Sequence, residues 1–145
     1  MEFKTENGDF NFELASNFIC DITDGYIRQV KRVKESDNYS KQDIKEMCDN
    51  VDDVSEKELK KLIKNDMGTY GKRLLNSLSA IHSIILDYKF HEQDEKIAIQ
   101  RLDNFAEVTS VLSDMYASKD TLYKRNIHTD VLELCNNISE FGEKY

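Results

Sequence analysis

Apolar residues recur along most of this chain at steps of three and four, the period of an α-helix seen from one side. Ala15, Phe18, Ile22, Tyr26, Val30 and Val33 form the first such stripe, widened by Ile19, and predict a helix from about residue 13. The stripe stops in the polar stretch Ser36-Asp37-Asn38-Tyr39. Ser40 then begins a capping-box-like Ser40-x-x-Asp43, with Ile44, Met47, Cys48 and Val51 on one face of a short helix. Ser55-x-x-Glu58 is a full capping box, heading a helix that carries Leu59, Leu62 and Ile63 and relaxes near Gly68.

The clearest stripe is Tyr70, Leu74, Leu78, Ile81, Ile85 and Tyr88, broadened by Leu75 and Ile84, which predicts the central and most buried helix. After a lapse at Phe90-His91, a second long stripe runs through Ala98, Leu102, Phe105, Val108, Leu112 and Met115. A last helix reads Tyr123, Ile127, Val131, Leu134, Cys135, Ile138 and Phe141, with Gly142 placed to stop it. At the other end, Asn7-Gly8 and the alternation of Phe10, Phe12 and Leu14 fit either a short hairpin or a disordered arm.

The expected fold is therefore all-α: a compact antiparallel bundle of four longer helices plus one or two short ones. Residues 1–12 form the arm or hairpin and 13–145 a single helical domain. The connections are short, which favours antiparallel neighbours. No strict heptad is sustained along the predicted stripes, which disfavours a long coiled coil. Composition agrees, since the 145 residues include no proline and only 5 glycines, too few for the many turns of a β-sandwich or barrel.

Charge sharpens the picture. Against 20 Lys and Arg stand 28 Asp and Glu, a net charge of -8. Residues 1–25 hold six acids (Glu2, Glu6, Asp9, Glu13, Asp21, Asp24) and one base, Lys4. Residues 43–58 hold seven acids against Lys45 and Lys57. Asp43, Glu56 and Glu58 sit in first helical turns, where the helix dipole stabilises an acid by about 0.3–1 kcal/mol. Asp49, Asp52 and Asp53 have no such role, and clustered like charge costs stability unless a partner offsets it. The basic run Arg28, Lys31, Arg32, Lys34 occupies the C-terminal half of a helix, where bases complement the dipole; it reads as structural, pairing with an acidic block within the fold or across an interface.

Specific chemistry is sparse. Counted from Asp49, an EF-hand loop would need Gly at its sixth position and Glu at its twelfth, where Val54 and Lys60 stand. His82, His91 and His128 follow Ser79, Tyr88 and Arg125 at the spacing where a helical di-metal site needs Glu. His82 is expected to be a partly buried structural residue, and His91 and His128 to lie near element ends. Cys135 and His128, two turns apart on one helix, stand about 10 Å apart along the axis, beyond hydrogen-bond reach. Gly68-x-x-Gly71-Lys72 lacks P-loop spacing and a preceding strand, and reads as a helix break or a close helix crossing. Neither a metal nor another cofactor is expected, and no catalytic residue is assigned.

The three cysteines, Cys20, Cys48 and Cys135, are widely and irregularly spaced, which fits buried core thiols in a reducing compartment better than a disulfide framework. The first residues lack the basic start and apolar run of a secretory signal, and no apolar run approaches the length of a membrane span. A cytoplasmic location is expected. The expected function is that of a non-catalytic protein-binding module, such as an inhibitor or immunity-type protein, covering a basic surface of its partner through Asp49, Asp52, Asp53 and Glu56. Aromatics among Tyr39, Tyr70, Tyr116, Tyr123 and Tyr145 would anchor it. A self-associating helical protein, including a homodimer, is the alternative; nucleic acid and membrane partners are not expected.

Overall fold

A computed structural model describes residues 2–36, 39–45, 54–66, 68–125 and 127–145, without the side chains of 27–29 and 124–125. The chain runs through α1 (Phe12–Cys20), a π-helical turn (Asp21–Tyr26), α2 (Ile27–Ser36), α3 (Lys41–Lys45), α4 (Glu56–Asn65), α5 (Thr69–Phe90), α6 (Glu95–Ala117), a 3-10 turn (Leu122–Arg125) and α7 (Ile127–Gly142). This is the expected all-α bundle, and no strand occurs among the described residues. The Ser55 capping box forms as expected, and two further helices have side-chain caps that the sequence reading did not name. Asn11 caps α1 by accepting from the Leu14 N–H at 2.9 Å. Ser55 caps α4 by accepting from Glu58 at 3.2 Å, and Asp94 caps α6 by accepting from Lys96 at 2.8 Å.

Helices α5, α6 and α7 form the centre, each antiparallel to the next. Gly71 lies against Tyr116, Ser77 against Thr109 and Asp87 against Arg101, so that position falls on α6 as it rises on α5. Asp103 beside Gly142 and Ser113 beside His128 give the same reversal between α6 and α7. Leu74, Leu78, Ile81 and Ile85 of α5 and Val131, Leu134 and Ile138 of α7 are all essentially inaccessible. Each such side chain contributes about 1.5–3 kcal/mol by leaving water.

The N-terminal residues resolve as a tight turn rather than a free arm. Gly8 takes a φ of 82°, a conformation that favours glycine, and Lys4 and Phe10 form a single antiparallel bridge. The turn is tied down at both ends. Phe3 donates its backbone N–H to Asn137 Oδ1 at 2.8 Å, and Phe3 and Phe10 pack on Phe18 and Phe141.

The structure departs from the sequence pattern in two places. The predicted α6 stripe passed through Val108 and Met115, yet both are nearly half exposed; the buried face is Ile99, Leu102, Ala106, Thr109, Ser113 and Tyr116. Small residues let α6 approach its neighbours closely. Its buried hydroxyls are bonded, Thr109 to Ser77 and Ser113 to Tyr123 and His128, which removes the penalty of burying them. Helix α7 ends at Gly142, as expected, and a Cβ there would come within 2.6 Å of the Asp103 carboxylate. The final helix begins at Ile127, because Tyr123 belongs to the preceding 3-10 turn.

Gly71 is the close crossing its sequence context allowed, since an added Cβ would meet the Tyr116 ring at 3.0 Å. We predict that Gly71→Ala destabilises the fold by about 1–3 kcal/mol through overpacking. Gly25→Ala, whose Cβ would meet nothing within 4 Å, should instead stabilise it by about 0.5 kcal/mol through lost backbone freedom. Urea melts of the two variants measure both effects.

Candidate functional site

The outward face of α6 carries four of the exposed large apolar side chains among the described residues. Ile97, Val108, Val111 and Met115 are 49%, 47%, 47% and 42% exposed. At 100° per residue they point directly away from Ile99, Ala106 and Ser113, so α6 is apolar on two opposite sides. From Leu102 to Ser118 this helix carries Asp103, Glu107 and Asp114 and no Lys or Arg. Glu107 and Asp114 are exposed, and both fall on the flank that α7 borders. Asp114 Oδ1 lies 3.2 Å from His128 Nε2, which holds that carboxylate in place.

Below this face lies a chain of buried polar groups. Asp66 is 3% exposed. Its carboxylate accepts from the hydroxyls of Tyr26 and Tyr116 and from the Leu122 N–H at 3.2 Å, while Lys34 Nζ donates to its backbone carbonyl at 2.6 Å. Tyr116 stacks on Tyr123 with ring centroids 4.2 Å apart. The Tyr123 hydroxyl reaches Ser113, and Ser113 Oγ lies 2.7 Å from His128 Nδ1. Ser113, His128 and Asp114 are the residue types of a hydrolytic triad, but the arrangement is not a nucleophile site. Ser113 is fully buried, and its hydroxyl is already shared with Tyr123, whereas a nucleophile must meet its substrate.

Burial first, and then the negative charge of Asp66, hold the Tyr26 phenol well above its ordinary value. Burial likewise raises Tyr123. It also pushes the Cys135 thiol up to about 12, helped by the charge of Asp114, which leaves that sulfur inert as a nucleophile at neutral pH.

A third cluster joins α1 to α5. His82 Nε2 lies 3.0 Å from Ser16 Oγ and 3.6 Å from Cys20 Sγ. Ser16, Cys20 and His82 are all half-buried. Among the described residues no three His, Cys, Asp or Glu side chains gather as a metal would need.

Of the acidic residues marked by the sequence, Glu56 is exposed in the first turn of α4, beside exposed Glu58. Asp49, Asp52 and Asp53, like Cys48, lie outside the described residues. Asp43 caps α3 reciprocally with Ser40, and the Ser40 backbone N–H holds its carboxyl below the usual carboxylate range. From the basic run, Arg32 Nη2 approaches Asp43 Oδ1 at 3.9 Å, the pairing within the fold that the sequence allowed.

The aromatic anchors need correction. Tyr116 and Tyr123 are buried, because Asp66 and Ser113 satisfy their hydroxyls and let the rings enter the core. Tyr39 and Tyr70 pack half-buried against the core, and Tyr145 is exposed. His128, expected near an element end, stands there but bridges a buried serine and a surface acid. The spacing of Ser113 and His128 held no signal for this, since the two meet only across a helix pair.

No protein-family model matches the chain, and neither does any curated protein or solved structure. Function must therefore be argued from these surfaces.

Asp66→Ala strands three donors and should cost at least about 2 kcal/mol. Tyr26 and Tyr123 have folded values above their unfolded ones, so their contribution is complete below about pH 10 and is lost as pH rises beyond it. Thermal melts from neutral to strongly alkaline pH should show that decline; a melting temperature unchanged across the range contradicts the placement of Tyr26.

Proposed function

We propose that this chain is a non-catalytic protein-binding module that covers a basic, amphipathic surface of another protein, as an inhibitor or immunity-type protein does. The observation that carries the reading is the outer face of α6. Val108, Val111 and Met115 offer apolar anchors, and the acids beside them have no base among them between Leu102 and Ser118. Each anchor is a little under half exposed, so covering it against a partner stabilises the complex by roughly 1 kcal/mol before association costs. The acids contribute encounter rate and discrimination more than raw affinity. The acids Asp49, Asp52, Asp53 and Glu56 add to the net negative charge that favours a basic partner.

Charge also selects between this reading and self-association. A two-fold contact places the same patch on both subunits. On the α6 face, that sets Glu107 and Asp114 near their own copies, with no base between Leu102 and Ser118 to relieve them.

Light scattering at micromolar concentration should give a monomer. A synthetic amphipathic helix of Leu and Lys should bind the protein, and its Leu and Glu counterpart should not. Val111→Asp should weaken that binding about tenfold or more, and Glu107→Lys should lower both the association rate and its dependence on salt. A stable dimer disrupted by Val111→Asp supports the self-association reading instead. Binding that ignores salt and both substitutions rejects the proposal.

A further inference from the structure

The Ser16, Cys20 and His82 cluster plays no part in the surface reading above, and it brings together the reactive groups of a thiol site. We propose that Cys20 is a reactive thiol, activated by His82, that undergoes exchange with small-molecule disulfides.

The geometry supplies the parts. Cys20 ends α1, and the π-helical turn begins at the next residue; such turns occur often at functional sites. The wider turn begins with Asp21, whose N–H is shared between the Asn17 and Phe18 carbonyls, while the Thr23 hydroxyl donates to the Ile19 carbonyl at 2.8 Å. These bonds fix the backbone on either side of Cys20. Cys20 is half-buried, unlike the buried Cys135, and its sulfur stands 3.6 Å from His82 Nε2. Ser16 Oγ, 3.0 Å from the same nitrogen, holds the ring and competes with the thiol for it.

The step balances. The Cys20 thiol gives its proton to His82 Nε2, and the sulfur attacks one sulfur of the disulfide. A new S–S bond forms as the reagent's own S–S bond breaks, and the leaving thiolate departs and takes up the proton.

Charged side chains near the pair are few. On α1 and the π-helical turn they are Glu13, Asp21 and Asp24, all exposed. On α5 no charged residue lies within one turn of His82, and Asp87 and Lys89 stand further along. Activation therefore depends on His82 taking the proton, not on a positive field.

Cys135 serves as an internal control, buried and with its thiol raised to about 12. The full-length Cys48→Ser variant, which retains Cys20 and Cys135, is treated with dipyridyl disulfide, and the modified peptide is located by mass. Cys20 should react at least about tenfold faster than Cys135. Its rate against pH should keep a shoulder below neutrality, where an ordinary thiol is protonated and slow. His82→Ala should remove the shoulder and slow the reaction at neutral pH about tenfold, leaving an ordinary thiol profile. Ser16→Ala, which frees Nε2 for the thiol, should leave the reaction as fast or faster. A profile that His82→Ala does not alter, or a Cys20 no faster than Cys135, overturns the proposal. Should His82→Ala unfold the chain, which a newly reactive Cys135 reports, absence of the shoulder in the parent overturns it equally.

Discussion

A carboxylate buried in a helical core is expensive unless each of its lone pairs is met, and Asp66 meets that demand by drawing distant segments together. Tyr26 comes from the π-helical turn, Tyr116 from the end of α6, and the Leu122 N–H from the 3-10 turn before α7. Lys34 of α2 reaches the same residue's carbonyl. The first helical segment, the end of α4 and the α6–α7 connection are thus fixed by one acid. The helix-on-helix packing of α5, α6 and α7 supplies most of the apolar burial, but without Asp66 the peripheral helices have fewer reasons to choose one docking. Polar groups of this kind select an arrangement more than they add to its stability.

The same interaction explains how two tyrosines enter the core. Their rings bury large apolar area, and the hydroxyl that would normally keep them at the surface finds an acceptor inside. Tyr123 does this through Ser113, and the stack of Tyr116 on Tyr123 joins the two arrangements into one polar seam. The seam emerges at His128 and Asp114, beside the outer face of α6. Core and surface are therefore continuous here: the residue that orients a flanking acid is itself oriented by a buried serine.

Much of the architecture was legible in the sequence. The α1, α5 and α7 stripes are built from aliphatic and aromatic residues whose burial needs no partner, so periodicity alone locates their inner faces. Ser55 and the Ser40–Asp43 pair likewise announced their caps, because a capping bond forms within four residues. For α6 the pattern misled, since Thr109 and Ser113 count as polar until Ser77 and His128 are known to lie opposite. Asp66 was invisible for the same reason, being an ordinary charged residue at a helix end. The Cys20–His82 approach spans 62 positions, and nothing local to either residue encodes it. Of the α6 face neither half is legible: Glu107 and Asp114 lie outside both acidic blocks of the sequence, and the stripe places Val108 and Met115 in the core.

The π-helical turn between α1 and α2 has a consequence for how this sequence tolerates change. It carries more residues per turn than an α-helix, so the two flanking helices keep their inner faces aligned only at this segment length. Losing one residue there would turn everything downstream by about 100°, swinging Val30 and Val33 away from the centre. Asp21, Asp24 and Gly25 are exposed and could be exchanged for many other residues without altering any buried contact. The segment thus acts as a ruler, indifferent to most of its letters and strict about their number.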